Sequence, residues 1–180
     1  MTTDERLPHD KQTRTPQDRI RRASIADGAF NDFPPVDWVR MAGASVIETL
    51  MVWESGELAR LPVGIGWDVV RMPAPAGWKA VQQLQHLRVA IGPVLLAQDS
   101  VEFLLPVQSV EDWYLPEARV LARGEHIEAP HPAIVAPRTQ NAHSWITPPQ
   151  VDLVLTNDAD LYTAHGYALA VLAETKEADR

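Results

Sequence analysis

The residues of this chain that could do chemistry are its six histidines and scattered carboxylates and arginines, because it contains no cysteine. Thiol nucleophiles, thiolate metal sites and disulfides are therefore excluded. His126 and Glu128 stand two apart in a stretch that reads as a strand, so they share one face. His131 follows Pro130, and His143 comes within reach from the next strand. Two or three imidazoles with one carboxylate make a plausible Fe, Mn or Zn set. The spacing matches no fixed metal motif, however, and the solvent face of a sheet often carries His and Glu. The His-x-Glu pair also lacks the two cysteines that a zinc deaminase would need.

Nucleophilic catalysis has little to work with. No Gly-x-Ser-x-Gly elbow occurs. Ser144 is adjacent to His143 in sequence and so faces the opposite side of a strand. Five carboxylates remain as acid or metal-ligand candidates: Asp68, Asp99, Glu102, Glu125 and Glu128. Asp68 opens an apolar run, where a solvated or turn-bonded acid is the ordinary outcome.

These residues must be positioned by short elements. Pro35 suits a helix start, and Val36, Trp38 and Val39 give residues 36–43 one apolar side. Ser45-Val46-Ile47-Glu48 is a capping box, followed by apolar residues at helical spacing and a stop at Gly56. Residues 36–58 thus read as a helical pair. Beyond them the spacing predicts a strand over Trp67–Met72 and a helix over Pro75–Leu87 with Trp78, Val81, Leu84 and Leu87 inward. Val94–Ala97 and Val101–Leu105 read as a hairpin about Gln98-Asp99-Ser100. Ser109–Trp113 reads as one helical turn, and Arg119–Leu121 with His126–Ala129 as a second hairpin about Ala122–Glu125. His143–Ile146 is a further strand. Asp158–Thr175 is a closing helix with Leu161, His165, Ala168, Leu169 and Leu172 along one face. That order fits a single α+β domain over 36–180, with a mainly antiparallel sheet and flanking helices. Residues 1–35 are poor in apolar residues and end in Phe33-Pro34-Pro35, so they read as a disordered tail.

The stretch GIGWDVVRMPAPAGWK from Gly64 to Lys79 has the strand–turn–helix order of a phosphate site, but its glycines are misplaced for one. A dinucleotide fingerprint puts them after the strand; Gly64 and Gly66 precede it, and only Gly77 follows. Of the six tryptophans, Trp53, Trp67, Trp78 and Trp145 fall on apolar faces and read as core. Trp38 and Trp113 read as candidates for a contact surface.

Charge narrows the partners. Residues 1–35 carry six basic and six acidic side chains, so the net charge of −8 lies wholly on residues 36–180. That sign disfavours nucleotide or nucleic-acid binding, which depends on Lys and Arg neutralising phosphate, but leaves it open through a local basic groove. No apolar run is long enough to span a membrane, and the N-terminus lacks the apolar core of a signal peptide. A cytoplasmic protein with no membrane association is expected.

From about Leu61 to Leu172 the order WDVVRMPAPAGWKAVQQL, GPVLLAQDSVEFLLP, ARVLARGEHIEAPHP, SWITPP and a helix after LTNDADL resembles a known family. It is similar to the N-terminal domain of bifunctional DNA primase/polymerases, the prim-pol fold, especially its small divergent actinobacterial versions. The resemblance implies two metal-binding aspartates at the end of the first strand, where this chain has Arg71 and Pro73. It implies a histidine at the position of Ser100, with Phe103 and Pro106 keeping the frame. It implies a third acid near Arg119, with Gly124 and Pro130 keeping a turn and a strand end. Two-metal nucleotidyl transfer needs those carboxylates, and a guanidinium in their place repels a cation.

The resulting expectation is a catalytically degenerate prim-pol-like domain that acts by binding, as a regulatory or accessory protein, with no cofactor and with a protein as partner. Arg71, Ser100, Arg119 and Arg123 are expected to line the old cleft as anion contacts. The alternatives are an active primase/polymerase using displaced acids such as Asp68, Asp99 and Glu102, and a small metalloenzyme built on His126, Glu128 and His131.

Overall fold

The computed structural model describes residues 34–110 and 113–178. The expected tail over 1–35 falls outside the described residues but for its last two, and so does the middle of the expected turn Ser109–Trp113. Among the described residues no helix is long and apolar enough to cross a membrane.

Among the described residues two helices come first, α1 (Asp37–Met41) and α2 (Val46–Glu54). Half of the capping box forms: Ser45 Oγ accepts the Glu48 amide at 3.3 Å. Then follow β1 (Ala59–Pro62), β2 (Asp68–Pro73), α3 (Ala74–Leu87), β3 (Val94–Ala97) and β4 (Ser100–Leu105). The chain closes with β5 (Arg119–Val120), β6 (His126–Ala129), β7 (His143–Thr147) and α4 (Asp158–Ala178). The fold is α+β, with a mostly antiparallel sheet and flanking helices. The main sheet has five strands in the order β5-β2-β4-β3-β7, and a second sheet pairs β1 with β6.

This topology corrects the second expected hairpin. Arg119–Leu121 and His126–Ala129 do not pair with each other. β5 pairs with β2, placing Arg119 beside Arg71, whereas β6 pairs with β1, placing Glu128 beside Arg60. The turn between them still closes, with the Glu125 amide donating to Ala122 O at 2.9 Å. It carries the chain from one sheet to the other. β1, unassigned from sequence, supplies the missing partner: Ala59-Arg60-Leu61 alternates buried, exposed, buried.

Each face of the main sheet has its own cover. Val70, Met72, Val101, Phe103 and Leu105 face α3 and α4, meeting Ala80, Val81, Leu84, Leu161 and Ala164. α3 buries a stripe displaced from the one its spacing predicts: Trp78 and Leu87 are exposed, while Ala76, Gly77 and Ala80 are buried beside Val81 and Leu84. Gly77 explains the shift, because a Cβ there would lie 2.3 Å from the Cβ of Val101. Without a side chain at 77 the helix backbone settles directly onto β4, and the small residues beside it turn inward.

On the opposite face, Val69, Leu104, Leu95 and Trp145 pack under α1, α2 and the two-stranded sheet. Trp38 lies at the centre of this layer, 1% exposed, with Trp53, Trp67 and Trp145 rings 6.2, 6.4 and 5.4 Å from its own. It is core, which corrects its reading as a contact residue. A buried indole N–H needs an acceptor, and all four find a backbone carbonyl: Trp38 to Pro35, Trp53 to Ala129, Trp67 to Trp38 and Trp145 to Pro130. Gly66 belongs to the same packing, since a Cβ there would meet Met41 O at 2.4 Å. Trp113 is half-buried and packs edge-on against Tyr162 at 5.4 Å.

Candidate functional site

The tryptophan-packed layer covers only part of its face of the main sheet. Strand register sets what the rest displays, since alternate residues share a side. One row across the sheet runs Arg119, Arg71, Glu102, Leu95 and Trp145; the next runs Pro73, Ser100, Ala97 and His143. Leu95 and Trp145, the apolar end of the first row, are buried. Arg71, Glu102, Ser100 and His143 instead floor a cleft of about 640 Å³. The outer face of the small sheet forms its wall with Arg60, His126 and Glu128, and Asp99 and Glu125 stand at its edges. That volume falls within the roughly 300–1,000 Å³ usual for small-molecule sites, although the lining is far more polar than most.

Glu102 is the unusual residue. Its side chain is 1% exposed, and Oε1 alone accepts from Arg71, at 2.7 Å from Nε and 2.5 Å from Nη2. Among the described residues Oε2 is buried with no hydrogen-bond partner. Burial pushes the Glu102 carboxyl above its ordinary value, a shift opposed by Arg71 and His143 and reinforced by Glu128. Glu125 goes the other way. Its carboxylate accepts the Ala122 amide at 2.5 Å and Arg119 Nη2 at 2.6 Å, and both lower its pKa, the backbone bond more.

The expected anion contacts separate on inspection. Arg71 and Ser100 do line the cleft, but two Arg71 nitrogens are spent on Glu102, and Ser100 Oγ donates to Ala97 O at 3.1 Å. Arg119 is committed to Glu125. Arg123 lies elsewhere, lining a depression with Gly64, Asp68 and Gln108, because its turn has crossed towards the other sheet. The start of α3 offers little more to an anion: the Ala74 amide is bonded to Asp99 O at 2.9 Å, and Pro75 has no amide hydrogen.

The acids separate as well. Asp99 and Glu102 share the cleft, whereas Asp68 Oδ2 accepts the Gln108 amide at 2.7 Å. His126 and Glu128 share the wall as their spacing implies, but His131 is not among the cleft residues. Its ring meets Trp53 at 5.4 Å, its Nδ1 accepts the Ala133 amide, and burial lowers its pKa. Among the described residues no three His, Asp or Glu side chains come together as a metal-holding group.

No family model, curated protein or solved structure matches the chain. Sequence reasoning missed Arg60 because Ala59-Arg60-Leu61-Pro62 holds no β-branched or aromatic residue to mark it as a strand. It missed the Arg71–Glu102 pair because the two strands are separated by α3 and β3, and register between non-consecutive strands leaves no local mark.

Proposed function

We propose that the domain works by binding through this cleft and carries out no nucleotidyl transfer, as a prim-pol-like frame whose catalytic positions have been reassigned. The observation that carries this reading is the ion pair between Arg71 and Glu102. Arg71 stands where the family resemblance implies a metal-binding acid, and its guanidinium neutralises the only deeply buried carboxylate among the described cleft residues. A site that spends its buried acid on an internal cation has little left for two divalent metals. A cleft of this size, with a mostly polar lining, remains suited to recognition.

The test is metal-dependent extension of a primed template with all four deoxynucleotides and Mg²⁺ or Mn²⁺. No extension above background is expected, even at high protein concentration. Extension that disappears in Asp99→Asn would overturn the proposal in favour of a polymerase using displaced acids.

A further inference from the structure

We propose that the cleft receives a ligand's protonated primary amine, with Glu102 as the principal acceptor. The inference rests on the binding reading above and adds its chemistry. A buried carboxylate oxygen without a donor is costly, because it has lost its water and gained nothing in return. Among the described residues Glu102 Oε2 is such an atom, in a residue that floors the cleft. What it lacks is a donor, and an ammonium group brings three.

The surroundings favour the same sign. Four carboxylates line the cleft against two arginines. The pairs Arg71–Glu102 and Arg119–Glu125 account for two of the four. Asp99 and Glu128 are exposed and make no ion pair among the described residues; Arg60 is the one unpaired arginine lining the cleft with them, beside His126 and His143. The net charge of −8 draws cations towards the protein at longer range. A phosphate or carboxylate would bring no donor to Oε2 at neutral pH and would face the same acids.

Arg71 then acts as the internal cation of the site. Its side chain is 36% exposed on a long flexible stem, whereas Glu102 beneath it is almost wholly buried. An incoming ammonium shares or replaces the guanidinium contact, so the buried carboxylate is never left uncompensated. This fixes the direction of a mutational effect: removing the arginine should strengthen amine binding, whereas it would abolish binding of an anion.

The same ammonium could come from a free alkylamine or from a lysine side chain of a partner, and the two can be told apart. The protein would be titrated with n-butylammonium, with acetyl-Gly-Lys-Gly-amide and with tetramethylammonium, following amide and side-chain resonances of Arg71, Ser100 and His143 by NMR. Saturable shifts are expected with one or both of the first two, and the tighter identifies the source. Tetramethylammonium has the charge without the N–H donors and should bind at least about tenfold more weakly, the worth of one charged hydrogen bond. Arg71→Gln should tighten amine binding severalfold, and Glu102→Gln should weaken it about tenfold. Absence of saturable binding by both amines, equal binding of tetramethylammonium, or weaker binding in Arg71→Gln would each overturn the proposal. If Glu102→Gln does not fold, the comparison of cations on the unaltered chain decides. Template extension would refute the binding reading itself; failed amine binding without extension refutes only this inference.

Discussion

Glu102 and Arg71 show how one ion pair sets the behaviour of the cleft. Because burial raises the Glu102 pKa, the folded protein keeps this proton above pH 4.5, where the unfolded chain has lost it. The native state then binds more protons, so this residue's contribution to stability is greatest below 4.5 and is lost as pH rises through the folded value. Arg71 on β2, His143 on β7 and Glu128 on β6 are the charged or titratable groups that bear on it. Urea unfolding of the wild type and Glu102→Gln across a pH series would read this directly. The wild type should lose stability relative to the variant as pH climbs from about 4.5 through the raised value. The lowered pKa values of Glu125 and His131 are common to both chains and cancel in the difference. A difference independent of pH would show that Glu102 titrates as an ordinary exposed acid.

At the scale of elements, the glycines of the two long helices allow a paired test. Gly77 in α3 lies against Val101, where a Cβ would be 2.3 Å from the side chain, while no described residue comes within 4 Å of where a Cβ on Gly166 in α4 would stand. Gly77→Ala should destabilise, because overpacking costs about 1–3 kcal/mol and outweighs the gain in helix propensity. Gly166→Ala should stabilise by about 1 kcal/mol, propensity acting alone. Thermal unfolding of both variants checks the opposite signs.

Elements were also where the sequence was most and least readable. The helix at 74–87 and the hairpin at 94–105 follow from periodicity and turn residues, to within about a residue. The segment 119–129 did not, since two short apolar runs about a tight turn look the same whether they pair with each other or with strands elsewhere. The cleft depends on that distinction, because β6 brings His126 and Glu128 to the wall only by leaving β5 for β1.

For the molecule as a whole, one half of the core hangs on Trp38. It sits among three other indoles and is almost wholly buried, so Trp38→Ala should cost about 3–5 kcal/mol. In a chain of this size that corresponds to a fall in Tm on the order of 10 °C, which calorimetry would measure. A fall of only a degree or two would mean that the layer is held elsewhere. Composition marked the tryptophans as apolar mass but could not say that four of them converge, since they come from α1, α2, the approach to β2 and β7. Their convergence has an optical consequence. Indole rings this close and held at fixed tilts, from near-stacked to perpendicular, couple their electronic transitions. The folded protein is therefore expected to show an exciton signature in circular dichroism that vanishes when the covering layer lifts from the sheet, an intrinsic reporter for the wall of the cleft that needs no label.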